Sequence, residues 1–425
     1  MTKIIFASTK INCEHLLGEF LDESHYDTLI EEDTDCYYGE EENEGQIAFK
    51  FRKNYFSKKE QEDAYLGLRE AATQSQNRGL AAGPKGDKCV NREWVTDYQF
   101  ELLEFLSTLG NSVTEVVLSD EIERIKESAN SEQATRGFVW LTSETQKDEF
   151  VFNKWVDALN HEKDINLVAQ KANEIINKYI SDTTYANPVF SGIAGWFDRY
   201  PRIPYARATA YTQHNPDKFK LAYPFLQSLN KGFKELLPWR WENQHKAANK
   251  IASEFLVPET VFSTITVNKT FRTAAHRDAG DFSDGLSNLL VLSNNGNYSG
   301  GYLILPEVRV AINVRPGDLL LINNHEYIHG NTPIILNDDE AERVSLVCYL
   351  REGLIGVDSK LEEDLRFQFV EERRKNKDHP LWYKLWNGVS PGMWTNQEWL
   401  DFLDKNNASH LKQKYVGTAL DDFFG

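Results

Sequence analysis

Residues 301–323 have the sequence GYLILPEVRVAINVRPGDLLLIN, and this stretch decides the predicted fold. It contains three short runs rich in Val, Ile and Leu, at 301–305, 308–314 and 318–323. Runs of this length and composition favour strands over helices. The last two are separated by a turn signal, Arg-Pro-Gly-Asp at 315–318. The stretch therefore predicts a sandwich or jelly roll of short strands and not a parallel sheet.

Short apolar runs separated by turn signals occur throughout the region from Pro258 to about residue 351. Further strand candidates occur at 260–268, 287–293 and 343–350. Before this region, helical spacing is found at 59–74, 97–109, 165–181 and 217–237. After residue 352, Ser359 and Glu362 form a capping-box pattern that predicts another helix. The predicted fold class is α+β, with a jelly-roll core wrapped by N- and C-terminal helices.

The predicted domain organisation has three parts. Residues 1–45 form an acidic N-terminal segment, in which 31–45 is expected to be an exposed loop. Residues 46–400 form one enlarged domain with its β core at about 258–351, and residues 401–425 form a C-terminal extension.

Composition excludes several classes of protein. No stretch approaches the 18 or more apolar residues that a membrane span requires, and the N-terminus lacks the apolar core of a secretory signal. The four cysteines are widely spaced and form no C-x-x-C pair, so a disulfide framework or a structural zinc site is not expected. These features predict a protein of the cytoplasm or nucleus, without a membrane partner.

Charge is unevenly distributed along the chain. The net charge is −18, which argues against nucleic acid as a partner, and residues 1–50 alone carry 13 acids against 3 lysines. Residues 187–250 carry 10 Lys and Arg against 4 Asp and Glu. This basic segment, with Arg207, Lys218 and Lys220, is a candidate for phosphate contacts, together with Arg199 and Arg202. Its aromatic residues Trp196, Phe197, Tyr200 and Tyr205 are candidates for stacking on bases, with solvated basic faces and ordinary packing as the alternatives.

One motif in the β region contains candidate metal ligands. The sequence TAAHRDAGDFSDG (273–285) includes His276-x-Asp278, whose two side chains share a face if the motif lies on a strand. His329 follows 51 residues beyond Asp278, after the apolar strand at 318–323. Two histidines and one carboxylate form the facial triad of non-haem Fe(II) oxygenases. His325 is a rival for the distal position, and ordinary structural roles remain open for each residue taken singly.

A candidate co-substrate site follows the triad. Arg343 lies 14 residues beyond His329 in the strand RVSLVCYL, and Ser345 shares its face. A guanidinium is a planar fork that suits the far carboxylate of 2-oxoglutarate, and Ser345 could add a second hydrogen bond. The alternative is that Arg343 is a surface ion-pair partner.

These residues resemble the TET/JBP family of oxygenases, which oxidise the 5-methyl group of pyrimidines in DNA. The resemblance is strongest over about 200–352. It is carried by PRIPYARATAYTQHNPDKF (201–219), TVNKTFRTAAHRDAGDF (266–282), GGYLILPEVRVAINVRPGDLLLINNHEYIHGNTP (300–333) and ERVSLVCYLRE (342–352). NRGLAAGP (77–84) is similar to JBP-like members, but is less diagnostic.

The resemblance implies a double-stranded β-helix that binds Fe(II) through His276, Asp278 and His329, and 2-oxoglutarate through Arg343 and Ser345. It also implies a co-substrate role for an arginine shortly before the H-x-D motif, where Arg272 stands. A polar residue three past the metal Asp contacts the base in such proteins, and Asp281 stands there. If ionised, Asp281 would accept from the N4 amino group of cytosine but face the O4 acceptor of thymine. The alternative is that Asp281 caps its own turn.

The predicted function is hydroxylation of the 5-methyl group of 5-methylcytosine or thymine in DNA, with 2-oxoglutarate and O2 as co-substrates and the base flipped out of the duplex. One alternative is the same chemistry on a small molecule such as a free amino acid or nucleoside, which the net charge favours. A second is a non-catalytic β-helix protein that binds a ligand or partner.

Overall fold

The computed structural model of the protein describes residues 2–75, 78–85, 89–90, 180–181, 187–198, 205–375 and 396–414. The predicted helix at 97–109 and all but the last two residues of the one at 165–181 lie outside these ranges. Within them, no helix is long and apolar enough to cross a membrane.

Short strands alternate with a few helices along the described chain. The strands are β1 (Lys3–Ala7), β2 (Thr28–Ile30), β3 (Thr34–Tyr38), β4 (Ile47–Arg52), β5 (Thr73–Ser75), β6 (Cys89–Val90), β7 (Ile180–Ser181), β8 (Val189–Phe197), β9 (Arg207–Ala208), β10 (Thr264–Lys269), β11 (Ser287–Ser293), β12 (Tyr298–Gly300), β13 (Leu303–Leu305), β14 (Val310–Ile312), β15 (Leu319–Ile322), β16 (Gly330–Asn331), β17 (Ile334–Leu336) and β18 (Arg343–Tyr349). The α-helices are α1 (Lys58–Leu68), α2 (Ala210–His214), α3 (Pro216–Leu221), α4 (Tyr223–Leu236), α5 (Pro238–Ala248), α6 (Lys360–Lys375) and α7 (Asn396–Lys405).

Two sheets form the β core. In the described residues, the larger sheet has the order β1-β3-β4-β15-β11-β18-β10-β8-β5, with β9 beside β8. The smaller sheet has the order β16-β13-β14-β2. Most neighbours are antiparallel, while the pairs β1–β3 and β14–β2 are parallel. β12 and β17 form a separate antiparallel pair.

The two sheets enclose one hydrophobic core. Alternate residues of a strand point to opposite faces, so Leu289 and Val291 of β11 belong to the core between the sheets. They pack there with residues of the smaller sheet, including Leu303, Leu305 and Ile312. This architecture is the predicted double-stranded β-helix, or jelly roll.

Helices that precede β10 cover the outer face of the larger sheet. Leu290 and Leu292 of β11 point outward into a second core. On α4 the side chains of Phe225, Leu229 and Phe233 are spaced at four residues and therefore share the helix face that joins this core. The predicted helix at 217–237 is divided at Ala222, because Pro224 lacks an amide hydrogen for an uninterrupted helix.

Most predicted elements of the β core are confirmed within a few residues. The main difference is β10, predicted from 260 but beginning at Thr264. A turn occupies the preceding residues: the amide of Thr260 donates to the carbonyl of Val257, and Glu259 has a φ of 61°. After the core, the predicted capping box is present, since Ser359 and Glu362 exchange hydrogen bonds at the start of α6.

The prediction that residues 31–45 form an exposed loop is wrong. Thr34–Tyr38 is strand β3 of the larger sheet, and Cys36 within it is fully buried. Its acidic residue is neutralised, because Asp35 accepts hydrogen bonds from Lys50 at 3.0 Å and from Arg52 at 2.6 Å on the neighbouring strand. Cross-strand ion pairs therefore allow an acidic sequence to form a central strand.

The chain divides into two compact units. One comprises residues 1–84, 185–199 and 205–364 and holds both sheets; the other comprises 85–184, 200–204 and 365–425. In the second unit, Trp399 and Phe402 of α7 stack on each other and meet Phe369 edge to face. The predicted domain boundaries at residues 45 and 400 stay predictions.

The burial of β3 leads to a stability prediction. Cys36→Asp places a carboxylate without a partner in the core, and we expect the free energy of unfolding to fall by at least about 2 kcal/mol. Glu41→Ala, at an exposed position of the same acidic segment, should change it by less than about 0.5 kcal/mol. Urea denaturation of both variants checks this. Equal stability of the two would show that β3 does not form.

Candidate metal centre

Backbone pairing holds two distant histidines side by side. His276 and His329 form an isolated antiparallel bridge, in which each amide donates to the other residue's carbonyl at 3.0 and 2.9 Å. Gly330 follows His329, and a Cβ there would lie 3.1 Å from the backbone of Thr273 and Ala274. The close approach of the two segments therefore depends on a residue without a side chain.

Both imidazoles are oriented by a hydrogen bond between Nδ1 and a backbone carbonyl. Nδ1 of His276 lies 2.8 Å from the carbonyl of Ala274, and Nδ1 of His329 lies 3.1 Å from the carbonyl of Tyr327. A carbonyl only accepts, so each Nδ1 carries a proton and Nε2 is the nitrogen of each ring that is available to a metal. The ring centroids are 4.3 Å apart, which brings both lone pairs toward one point.

Asp278 supplies the third donor atom. Its Oδ1 lies 3.4 Å from Nε2 of His276 and 3.9 Å from Nε2 of His329. Its Oδ2 accepts a hydrogen bond from the Asn324 amide at 3.1 Å, and its backbone amide donates to the Asn324 carbonyl. The three ligand atoms lie within 4.8 Å of one another.

Protonation states favour a cation at this point. Burial opposes the charge on Asp278, but the hydrogen bond to His276 and the positive charge of the imidazoles outweigh it and lower the pKa of the carboxyl to about 2. Burial, with the neighbouring charge of His276, lowers the pKa of His329 to about 4. At neutral pH the centre therefore offers a carboxylate and a neutral imidazole. His325, the rival ligand, is exposed and outside this group of three.

Arg343 is a buried cation without an anionic partner. It is 1% exposed, and its Nη2 donates to the carbonyl of Gly301 at 3.2 Å. Its Nε has no hydrogen-bond partner, and the guanidinium forms no ion pair with any residue that the structure describes. Gly301 has a φ of 68°, and a Cβ there would lie 3.1 Å from this Nε. An unpaired buried charge of this kind is costly unless a ligand compensates it.

A second arginine and a tyrosine adjoin Arg343. The guanidinium carbons of Arg315 and Arg343 lie 4.8 and 5.9 Å from the ring centroid of Tyr298, whose buried hydroxyl has no partner among the described residues. Burial lowers the pKa of Arg343, and the charge of Arg315 acts in the same direction. Ser345 is nearly buried and adjoins Asn268 on β10. Neither Arg315 nor Tyr298 was predicted from the sequence, although Arg315 is the first residue of the Arg-Pro-Gly-Asp turn.

Arg272 has other partners than a co-substrate. Its Nη2 donates to the carbonyl of Leu21 at 2.8 Å, and its guanidinium stacks on the ring of Phe20 at 4.6 Å. These contacts attach the N-terminal segment to the irregular segment before His276. The co-substrate role of Arg272 stays a prediction without structural support.

Asp281 lies beside the metal ligands and is buried. Its carboxyl accepts a hydrogen bond from the hydroxyl of Ser287 and not from its own turn. Burial, with the charge of Asp278, raises the pKa of this carboxyl well above its ordinary value. The expected preference for cytosine assumed an ionised Asp281, and this environment favours the neutral form instead.

The basic segment 187–250 does not present a row of free cations. Lys218 pairs with Glu70 at 2.5 Å and Lys220 with Asp217 at 3.0 Å. Arg207 on β9 is half-buried, and its Nε has no partner among the described residues. Arg199, Tyr200 and Arg202 lie outside the described residues. Substrate contact by Arg207 and Asp281 stays a prediction.

The aromatic residues of this segment have mixed environments. Trp196 packs against the core under the helices, with its ring 6.0 Å from that of Phe219. Tyr205 is buried. Phe197 is half-buried under the guanidinium of Arg351, at 4.0 Å, and Arg351 pairs with Asp198. Packing therefore accounts for Trp196, whereas Phe197 lies near the segment that carries Asp281.

The donor set fits Fe(II). Two imidazole nitrogens and one carboxylate oxygen on one side of a point form the facial donor set of non-haem Fe(II) oxygenases, and a double-stranded β-helix carries them here. The hydrogen bonds to both Nδ1 atoms and to Asp278 are the outer contacts that orient such ligands. Fold and site thus define the class of 2-oxoglutarate- and Fe(II)-dependent oxygenases.

Residues 193–352 match the model of the TET/JBP family, which describes the oxygenase domain of the 2OGFeDO superfamily. The chain is 39% identical over 181 residues to a bifunctional helicase and thymine dioxygenase JBP2 of Trypanosoma brucei brucei. It is 37% identical over 169 residues to a thymine dioxygenase JBP1-B of Trypanosoma cruzi. The likeness to the solved structure of NgTET1 in complex with 5mC DNA is lower, with a TM-score of 0.37 and 13% identity over 80% of this chain and 89% of that one.

The similarity covers a domain and not whole proteins. The two aligned regions comprise 42% and 39% of this chain. They comprise only 16% of the length of the JBP2 relative and 20% of the JBP1-B relative.

We predict that His276→Ala and Asp278→Ala each abolish binding of one Mn(II) ion, used as a redox-stable substitute for Fe(II), because each removes one of three donors. Titration of Mn(II) followed by electron paramagnetic resonance measures this. His325→Ala is the matched control and should bind Mn(II) as the unmodified protein does. Loss of binding in His325→Ala with retention in His276→Ala would remove the assigned triad.

Proposed function

We propose that the protein hydroxylates the 5-methyl group of a pyrimidine base in DNA, with Fe(II), 2-oxoglutarate and O2. The observation that carries the proposal is one domain that combines the His276–Asp278–His329 donor set with an unpaired buried Arg343. The TET/JBP match places this domain among relatives that are thymine dioxygenases, which supports a methylated pyrimidine as the substrate.

His276, Asp278 and His329 would hold the iron, through Nε2, Oδ1 and Nε2. Bound Fe(II) supplies the oxidation in which 2-oxoglutarate and O2 give succinate and CO2 while one oxygen atom enters a methyl C–H bond. The carbonyls of Ala274 and Tyr327 hold both imidazoles in the tautomer that this requires. Asn324 fixes Oδ2 of Asp278, so only Oδ1 faces the histidines.

Arg343 would bind the far carboxylate of 2-oxoglutarate. Its orphan Nε offers a charge-assisted hydrogen bond, and the free hydroxyl of Tyr298 offers another. Arg315, which shares the ring of Tyr298 with Arg343, adds a second positive charge. A carboxylate between them removes the repulsion between the two cations, so the pocket selects a diacid over a 2-oxo acid without a second carboxylate.

The base must leave its stack to react. His329 is 3% exposed, so the methyl group of a base within a duplex cannot approach a metal held there. We propose that the base is flipped into the site, at a cost of a few kcal/mol that is smaller for single-stranded DNA.

A small-molecule substrate is the second candidate. The net charge of −18 and the ion pairs of Lys218 and Lys220 favour it, because they leave fewer free cations for phosphates.

A mass-spectrometric nucleoside assay tests the proposal. The protein is incubated with Fe(II), ascorbate and 2-oxoglutarate, and with single-stranded DNA containing thymine, the same DNA containing 5-methylcytosine, or free thymidine. We expect a gain of one oxygen on a DNA pyrimidine, and none with His276→Ala. Succinate formation with modified thymidine but unmodified DNA would support the small-molecule candidate. Absence of iron-dependent succinate formation with every substrate would contradict both.

Replacement of Arg343 should weaken co-substrate binding without harm to the fold. In Arg343→Met, we expect the dissociation constant of 2-oxoglutarate to rise about ten- to a hundredfold, because a charge-assisted contact is lost. The unfolding temperature without ligand should not fall, since the lost cation had no anionic partner. Anaerobic calorimetric titration with Mn(II) present measures the affinity. Arg309→Gln, which removes an arginine paired with Asp27, is the control. Unchanged affinity in Arg343→Met would show that another residue holds the carboxylate.

A further inference from the structure

Glu307 is a buried carboxylate that the proposed mechanism leaves unused. It lies in the short 3-10 turn Pro306–Val308, between β13 and β14 of the smaller sheet, and it is 6% exposed. Each of its carboxylate oxygens accepts a hydrogen bond from a different segment of the chain. A buried carboxylate is costly without such partners, so the two contacts indicate where Glu307 acts.

The two partners of Glu307 adjoin the metal ligands on different segments. Its Oε1 accepts from Nη2 of Arg277 at 3.2 Å, and Arg277 stands between the two ligands of the H-x-D motif. Its Oε2 accepts from the backbone amide of Ile328 at 2.6 Å, and Ile328 directly precedes the ligand His329. One carboxylate therefore connects the segment of the H-x-D motif to the segment of the distal histidine.

Arg277 has further contacts that support this connection. Its Nε donates to the carbonyl of Glu326 at 3.2 Å, on the segment that carries His329. Its Nη2 also lies 2.7 Å from Oε1 of Glu14, whose side chain is 56% exposed. An exposed ion pair contributes little, and Glu14 does not bond the segment of His329. Of the two acidic partners of Arg277, Glu307 is therefore the one that links both ligand segments.

The amide of Ile328 needs a partner from outside the two paired segments. His276 and His329 exchange both of their backbone hydrogen bonds. In an antiparallel pair, the residues next to such a bonded pair direct their backbone groups away from the partner strand. Ile328 is fully buried, so its amide would be costly without an acceptor. Glu307 supplies the acceptor that the pairing of the histidines leaves open.

Backbone contacts hold Glu307 itself in place. Its carbonyl accepts a hydrogen bond from the amide of Ile11 at 2.9 Å. The turn that carries it is closed by Arg309, which has a φ of 54° and donates its amide to the carbonyl of Pro306 at 3.2 Å. The carboxylate is thus presented to both ligand segments from a fixed turn of the smaller sheet.

We propose that Glu307 is a positioning residue of the metal centre, which holds the H-x-D segment and the segment of His329 at the separation that lets their donors bind one ion. This inference rests on the proposed assignment of the triad. Glu307 acts on the ligands through Arg277 and Ile328, their neighbours in sequence.

The affinity for Mn(II), measured on the full chain by electron paramagnetic resonance, tests the proposal. In Glu307→Ala we expect the dissociation constant to rise about tenfold or more, as is usual when an outer contact of metal ligands is lost. In Glu307→Gln the side-chain oxygen can still accept from Ile328, but the charge opposite Arg277 is lost. We therefore expect a smaller rise in Glu307→Gln than in Glu307→Ala.

Asp35→Ala is the matched control. Asp35 is 5% exposed, and its carboxylate pairs with Lys50 and Arg52 on β4, so this substitution also removes a buried, paired carboxylate. Both alanine variants should have a lower unfolding temperature than the unmodified protein. Only Glu307→Ala should have a raised dissociation constant for Mn(II), whereas a merely structural role would make the two variants alike.

Hydrogen exchange of the metal-free protein gives a readout that does not depend on the ion. In Glu307→Ala we expect faster amide exchange at residues 275–278 and 326–330, with β3 and β4 unchanged. In Asp35→Ala the faster exchange should occur in β3 and β4 instead.

An unchanged Mn(II) affinity in Glu307→Ala, or an equal loss in Asp35→Ala, would overturn the role of Glu307. Should Glu307→Ala not fold, an unchanged affinity in Glu307→Gln would overturn it. Failure of the unmodified protein to bind one Mn(II) ion would instead remove the triad, and this inference with it.

Discussion

The two backbone hydrogen bonds between His276 and His329 are the constraint on which the site depends. They join two segments that are far apart in sequence. Because both hydrogen bonds are between backbone atoms, they fix the positions of the two histidines independently of the side chains. The carbonyls that hold both Nδ1 atoms belong to the same two segments. The amide of Ala274 also donates a hydrogen bond to the carbonyl of Ala81, which attaches a third segment of the chain to this pair. One short stretch of paired backbone thus organises the ligands and their surroundings.

Charge pairing distinguishes the surface of the protein from its site. Lys218 and Lys220, two exposed lysines of the basic segment, have acidic partners. Arg343 is 1% exposed and has no acidic partner among the described residues. Pairing an exposed charge contributes little, whereas leaving a buried charge unpaired is costly. The uncompensated positive charge of Arg343 therefore lies inside the protein and not on its surface.

Sequence patterns predicted the β core well because its strands are short, apolar and separated by strong turn signals. The triad was predictable for a related reason, since His276 and Asp278 lie two residues apart and His329 follows a marked turn and strand. The N-terminal strand β3 was not predictable, because its acidic character is offset only by Lys50 and Arg52 on another strand.

The position of β4 in the larger sheet has a consequence for how the protein folds during synthesis. β4 ends at Arg52 and pairs on one side with β3, but its other partner, β15, begins only at Leu319. Until β15 leaves the ribosome, β4 presents an unpaired edge with Phe49 and Phe51, both destined for the core. Such edges promote association with other chains. During synthesis, β4 therefore lacks one of its two partner strands until the chain has been made as far as β15.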